Sequence, residues 1–193
     1  MLCYHRVLPI EHKNRYSLPD LVVTPQAFEQ HCLLLRRHYE VLPLYAAVGA
    51  SSEVGRRCRP IAAITFDDGY QDNFKYAVPI LDRLGIQATF FVITDLIGTA
   101  RVPWYDRLAC TVSALAPGGD ASAITDVCRT MGPPDPSCPS DVNPESIVRF
   151  AKFLPPEKRV ELVQRISCLA NNVGDFSTND LIMDWSQLTA MSK

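Results

Sequence analysis

Two adjacent carboxylates, Asp67 and Asp68, follow an apolar run at residues 61–66 and precede Gly69. A short apolar run predicts a buried strand, and strand ends in α/β folds face the crevice in which ligands bind. Because neighbouring residues on a strand point to opposite faces, the two carboxylates are expected to have different tasks. One can hold a metal ion while the other accepts a proton. A strand end followed by ordinary turn residues would explain the same spacing without any chemistry.

The elements that must position these carboxylates alternate in type. The pattern predicts strands at residues 2–7, 61–68 and 87–94, helices at 25–39 and 74–84, and a polar loop at 9–21. A strand, helix and second strand in this order predict parallel neighbours joined by a right-handed crossover. Beyond residue 98, amphipathic helices are predicted at 104–115, 121–131, 145–153 and 156–170.

Composition limits the classes of partner. The 193 residues are 47% hydrophobic and 21% charged, as in a globular domain. A net charge of −2 without a basic run argues against nucleic acid or an anionic membrane as the main partner. The apolar runs are shorter than a membrane span, and the N-terminus lacks a signal-peptide pattern, so the sequence predicts a cytoplasmic chain. Seven cysteines without a Cys-x-x-Cys pair favour free thiols.

Residues 65–69, which read Thr-Phe-Asp-Asp-Gly, resemble the first motif of the polysaccharide deacetylases, the NodB-homology domains of carbohydrate esterase family 4. Other segments resemble this family in the same order. Residues 1–7 are similar to its opening strand, 24–29 to its first helix start, 87–92 to the strand after the motif, and 181–188 to the helix before the second motif.

The resemblance implies an α/β fold, a distorted (β/α) barrel with a helical insertion at residues 99–179. The second family motif, His-Ser/Thr-x-x-His, is expected shortly after Trp185, whereas all four histidines precede Asp67. We therefore expect residues 1–193 to be the N-terminal part of one deacetylase-like domain, with an incomplete barrel. Family members often act outside the cytoplasm, so the resemblance leaves the compartment open, together with the polymer and the oligomeric state.

By this resemblance, the function is metal-dependent removal of N-acetyl groups from a polysaccharide or oligosaccharide. Asp67 corresponds to the general base. Asp68 corresponds to a ligand of a divalent metal, usually zinc, which the two histidines of the second motif complete. A metal held by three protein ligands leaves a position for water, which the ion acidifies. One carboxylate alone is a poor zinc site, so the metal site is expected to be incomplete and the chain inactive by itself.

Four further side chains are candidates for the substrate cleft. His5 stands near the end of the first predicted strand, and Tyr70 and Asp72 are expected at the rim of the cleft. Trp104 could stack on a sugar ring. Ordinary packing is the competing interpretation for each of them.

Two other functions fit parts of the pattern. A version of the fold that binds carbohydrate without cleaving it, or serves as a scaffold, would need no histidine pair. Adjacent acidic residues at a strand end also bind magnesium in phosphoacceptor α/β domains, which require a further Asp and a Lys at later strand ends. Magnesium-dependent labelling by acetyl phosphate would identify that class.

Overall fold

The computed structural model describes residues 1–50, 58–116, 120–131, 141–170 and 181–192. Their contacts divide them into two compact units. The first contains the described residues of 1–15, 19–101 and 178–193, and the second those of 16–18 and 102–177. An insertion between barrel strands at 99–179 stays a prediction.

Short strands in the first unit pair in parallel. They are β1 Leu2–Tyr4, β2 Arg6–Val7, β3 Val22–Val23, β4 Glu40–Val41, β5 Ile61–Ala62, β6 Ile64–Phe66 and β7 Thr89–Phe90. One sheet has the order β1-β6-β7, and two smaller sheets pair β2 with β3 and β4 with β5. An α/β fold is therefore confirmed. The described strands show no closed barrel, so the barrel and its incompleteness stay predictions.

The helices, in chain order, are α1 Ile10–Lys13, α2 Pro25–His38, α3 Leu44–Ala50, α4 Val78–Leu84, α5 Trp104–Leu115, α6 Ala121–Met131, α7 Pro144–Phe153, α8 Pro156–Leu169 and α9 Trp185–Met191. In α2 the Thr24 side chain accepts a hydrogen bond from the N–H of Ala27, and the next residue is a proline, which suits a first helical turn. Phe28, Cys32 and Leu35, which are three or four residues apart and share one side of this helix, are buried.

The core of the first unit lies against one face of the β1-β6-β7 sheet. The Phe66 ring stacks on the Phe90 ring of β7, with 4.7 Å between ring centres. The Tyr4 ring of β1 also stacks on Phe66, at 5.6 Å. Phe28 from α2 meets Phe66 edge-on at 5.5 Å. Burial of these rings fixes the position of β6, because aromatic side chains contribute large apolar areas to a core.

Several predicted boundaries were wrong in this unit. The strand predicted at 2–7 is interrupted at His5, and the strand predicted at 87–94 is limited to Thr89–Phe90. The loop predicted at 9–21 contains α1 and a 3-10 turn at Pro19–Leu21. A π-helical turn at Asn73–Ala77 precedes α4. The limits of the strands depend on pairing partners in distant segments, which local pattern does not specify.

In the second unit, α5 packs on α7 and α8, and α6 packs on α8. The most buried apolar side chains come from all four helices: Leu108, Val112, Ile124, Ile147, Leu162 and Ile166. Trp104 contacts Tyr105 edge-on at 5.4 Å and lies 4.9 Å from the Arg159 guanidinium. Within the described residues, none of the helices combines the length and apolarity that crossing a membrane requires.

Candidate functional site

Asp67 directly follows β6, and its backbone continues the pairing with β1. Its N–H donates to the carbonyl oxygen of Tyr4 at 2.9 Å. In the parallel pairing of β1 with β6, Cys3 lies beside Thr65 and Tyr4 beside Phe66. His5 therefore comes next to Asp67, one step further along the same parallel pair.

The two faces of this strand pair differ in chemistry. Tyr4 and Phe66 are buried in the core, at 7% and 0% exposure. Side chains alternate along a strand, so Cys3, His5 and Asp67 belong to the opposite face. The Cys3 thiol donates to Asp67 Oδ2 at 3.2 Å, and His5 Nε2 lies 4.0 Å from the same oxygen. The side chains of His5 and Asp67 are 33% and 39% exposed, so solvent or a ligand can reach them.

The Cys3 thiol is held in its protonated form. Desolvation raises its pKa above 9.0, and the hydrogen bond to the Asp67 carboxylate raises the pKa further because a thiolate there would face a second anion. At neutral pH Cys3 is thus a hydrogen-bond donor that orients one oxygen of Asp67.

Asp68 leaves the direction of the strand. Its φ of +74° lies in the left-handed region, which is uncommon for a residue other than glycine, and Gly69 follows with a φ of +76°. A Cβ at position 69 would lie 3.1 Å from Cγ1 of Val92. Two successive left-handed residues make a tight turn, so the orientation of Asp68 depends on this turn and not on strand alternation alone.

A buried ion pair stabilises the chain just beyond this turn. Asp72 accepts a hydrogen bond from Nε of Arg6 at 2.8 Å and another from the N–H of Val7 at 2.7 Å. Burial raises the pKa of the Asp72 carboxyl, while Arg6 and the Val7 N–H oppose that shift. The expectation that Asp72 lies at the rim was wrong: it is 6% exposed and ties the turn to β2.

The structure also places Tyr70 in the interior and not at a rim. Its side chain is fully buried, with the Arg6 guanidinium 4.5 Å from the ring centre, and its backbone forms an isolated antiparallel bridge with Ile182. Trp104 belongs to the second compact unit, where it packs as described above. A substrate contact by Tyr70 or Trp104 stays a prediction.

The donor groups present do not match the expected metal site. Among the described residues, the one group of three potential metal ligands within 4.8 Å of one another is Cys3, His5 and Asp67. That group contains neither Asp68 nor a second histidine. Sequence reasoning missed Cys3, although its spacing of two from His5 on a predicted strand was a usable signal.

Comparison with known proteins gives the following similarities. A family model described as polysaccharide deacetylase matches residues 55–125. The Bacillus subtilis (strain 168) protein named "Putative polysaccharide deacetylase YxkH" is 35% identical over 80 residues, which cover 41% of this chain and 29% of that protein. The match thus spans less than a third of the relative's length.

Two solved structures resemble the chain at lower identity. IcaB from Ammonifex degensii is 24% identical, with 60% of this chain and 47% of that chain covered and a TM-score of 0.42. The Streptococcus pyogenes deacetylase PplD, solved in complex with acetate, is 17% identical, with 100% and 96% covered and a TM-score of 0.43.

Proposed function

From residues 55–125, which identify the chain as a member of the polysaccharide deacetylase family, we propose that it takes part in hydrolysis of N-acetyl groups on a polysaccharide or oligosaccharide. The bond cleaved is the amide between the acetyl carbon and the sugar nitrogen. The family match also favours this function over the magnesium-dependent phosphoacceptor.

One observation carries the proposal at the level of residues. Asp67 lies at the end of β6 within the family segment, with its carboxylate partly exposed and oriented by Cys3. A general base must be ionised, accessible and fixed in direction. Asp67 meets the last two conditions through its exposure and its hydrogen bond.

The proposed role of Asp67 is to accept a proton from the attacking water. The water oxygen forms a bond to the acetyl carbon, the carbon–nitrogen bond breaks, and the proton accepted by Asp67 passes to the sugar nitrogen as acetate leaves. Because the group of potential metal ligands among the described residues is Cys3, His5 and Asp67, we assign no step to a metal at Asp68. Its role as a metal ligand, with zinc as the expected ion, stays a proposal from the family.

A second candidate is a carbohydrate-binding or scaffold role without cleavage. The observation that favours it is the set of donors found near the motif: Cys3, His5 and Asp67 are not the histidine pair and aspartate that the family's metal site would use. Under this alternative the turn at Asp68 and Gly69 has only a structural role.

Substitution of Asp67 tests its proposed role as the base. Asp67→Asn keeps the shape of the side chain but removes the base, so acetate release from an N-acetylated chito-oligosaccharide is expected to fall by at least about 100-fold. Acetate is measured by an enzyme-coupled assay. Asp95→Asn is the matched control, because Asp95 is 80% exposed in a surface ion pair with Arg101.

Each outcome has a distinct meaning. Acetate release that Asp67→Asn leaves unchanged would refute the general-base role. Sugar binding by the wild-type protein without any acetate release would refute hydrolysis and support the second candidate.

A further inference from the structure

The three donor atoms around Asp67 are close to the spacing of a tetrahedral zinc site. Zinc bonds of about 2.3 Å to sulfur and 2.0–2.2 Å to nitrogen or oxygen place neighbouring ligand atoms roughly 3.3–3.7 Å apart. Here Cys3 Sγ lies 3.2 Å and His5 Nε2 lies 4.0 Å from Asp67 Oδ2. One ligand atom from each of the three residues lies within 4.8 Å of the other two.

Their backbone is already held in place. Cys3 belongs to β1, and the N–H of Asp67 is bonded to the Tyr4 carbonyl between Cys3 and His5. The core face of the same strands is filled by the stacked rings of Tyr4 and Phe66. Fixed strands reduce the conformational entropy lost when a ligand set forms around an ion.

We propose that Cys3, His5 and Asp67 form a binding site for a thiophilic divalent cation such as Zn²⁺. Zinc and cobalt accept sulfur, imidazole and carboxylate ligands, whereas magnesium and calcium prefer oxygen ligands and disfavour the thiolate and the imidazole. Three protein ligands leave the fourth coordination position of the ion for water. Solvent can reach that position because the side chains of His5 and Asp67 are partly exposed.

Binding changes the protonation of the ligands in a defined way. The Cys3 thiol loses its proton to solvent and bonds to the ion through Sγ, so its hydrogen bond to Asp67 is replaced by two bonds to a shared cation. His5 binds through the lone pair of neutral Nε2, and Asp67 binds through Oδ2. No oxidant or other reactant is required.

This site differs from the one that the family resemblance implies, which uses Asp68. It does not rest on the proposed deacetylase function, and it has a consequence for that function. A cation bound to Asp67 Oδ2 occupies the oxygen that a general base would need, so binding here and base catalysis by Asp67 exclude each other.

The test is titration of the reduced chain with Co²⁺, a spectroscopic substitute for zinc, followed by competition with Zn²⁺. A thiolate bound to Co²⁺ gives a charge-transfer absorption band in the near ultraviolet. We expect the band in the wild-type chain, its loss in Cys3→Ser, and affinities reduced by at least about tenfold in His5→Gln and Asp67→Asn.

Three control variants separate this site from others in the chain. Cys58→Ser removes another exposed thiol, His12→Gln removes an exposed imidazole, and Asp68→Asn removes the carboxylate of the family's metal site. All three are expected to keep the band. Circular dichroism checks that every variant is folded.

The proposal is overturned if the wild-type chain shows no band, if the band survives Cys3→Ser, or if Asp68→Asn weakens binding where Asp67→Asn does not. None of these results depends on acetate release. Failure of this proposal is therefore distinguishable from failure of the proposed deacetylase function.

Discussion

At the residue scale, both proposals for this site depend on one atom, Asp67 Oδ2. It accepts the Cys3 thiol hydrogen, it lies 4.0 Å from His5 Nε2, and it is the atom assigned to proton transfer. A neighbouring thiol and imidazole can orient this oxygen for catalysis or join it in binding a cation. Which of the two occurs is set by the cation concentration relative to its dissociation constant.

The Arg6–Asp72 pair leads to a stability prediction at the same scale. Asp72→Asn keeps the size of the side chain but leaves the buried Arg6 guanidinium without this counter-charge. Unfolding free energy is expected to fall by about 3–5 kcal/mol, because an uncompensated buried charge is costly. Urea unfolding followed by circular dichroism measures the change.

Asp95→Asn again provides the comparison, since its partner Arg101 is 57% exposed. An exposed pair contributes little, so that change should stay within about 0.5 kcal/mol. Equal effects of the two substitutions would contradict the importance of burial for the Asp72 pair.

At the scale of elements, the turn after β6 decides where Asp67 and Asp68 point. Left-handed backbone at both Asp68 and Gly69 ends the strand within two residues. Backbone bonds then fix the turn from outside: Gln71 N–H donates to the Leu181 carbonyl, and Met183 N–H donates to the Gly69 carbonyl. The segment before α9 is therefore part of the support of the site.

Gly69→Ala tests this turn. The positive φ costs about 1–2 kcal/mol for a residue with a Cβ, and the new methyl group, 3.1 Å from the Val92 side chain, adds a packing cost. We expect the unfolding free energy, measured by urea unfolding, to fall by more than the cost of the positive φ alone.

Two other glycines separate strain from packing. Gly85 has a φ of +64° but open space around its Cβ position, so Gly85→Ala should show the strain alone. Gly49 lies in α3 with nothing within 4 Å, and Gly49→Ala should stabilise the chain by about 0.5–1 kcal/mol. A Gly69→Ala effect no larger than that of Gly85→Ala would show that Val92 yields without cost.

At the scale of the whole molecule, the chain has two compact units, each with its own apolar core. The first builds its core on aromatic rings over the β1-β6-β7 sheet, and the second on aliphatic side chains between α5, α6, α7 and α8. All six described cysteines are free, and they are distributed over both units. Packing, and not disulfide bonds, holds the described parts of both units.

Thiol labelling tests both cores together. In the folded chain at pH 8, iodoacetamide should modify the exposed Cys58 and Cys168 first, while the buried Cys32 and Cys128 react only after unfolding in urea. Burial also raises the pKa of Cys32 to about 11, which lowers its thiolate fraction further. Peptide mass spectrometry locates the modified residues. Modification of Cys32 at the rate of Cys58 would contradict a closed core in the first unit.

The sequence by itself determined the features that depend on nearby residues. Helices α5 and α6 begin and end where the 3.6-residue pattern predicted, because helical hydrogen bonds join residues four apart. The motif at 65–69 likewise predicted the resemblance to polysaccharide deacetylases and the end of a buried strand. In α8, spacing of three residues does not by itself determine burial: Val163 and Ile166 are buried, whereas Val160 is 58% exposed.

The tertiary structure decided which distant residues meet. Cys3 and Asp67 come together only through the parallel register of β1 and β6, and register depends on packing between segments more than sixty residues apart. The left-handed backbone of Asp68 and the buried pairing of Asp72 with Arg6 also require those distant contacts. Local pattern therefore predicted a carboxylate at a strand end, whereas long-range packing selected the thiol and imidazole beside it.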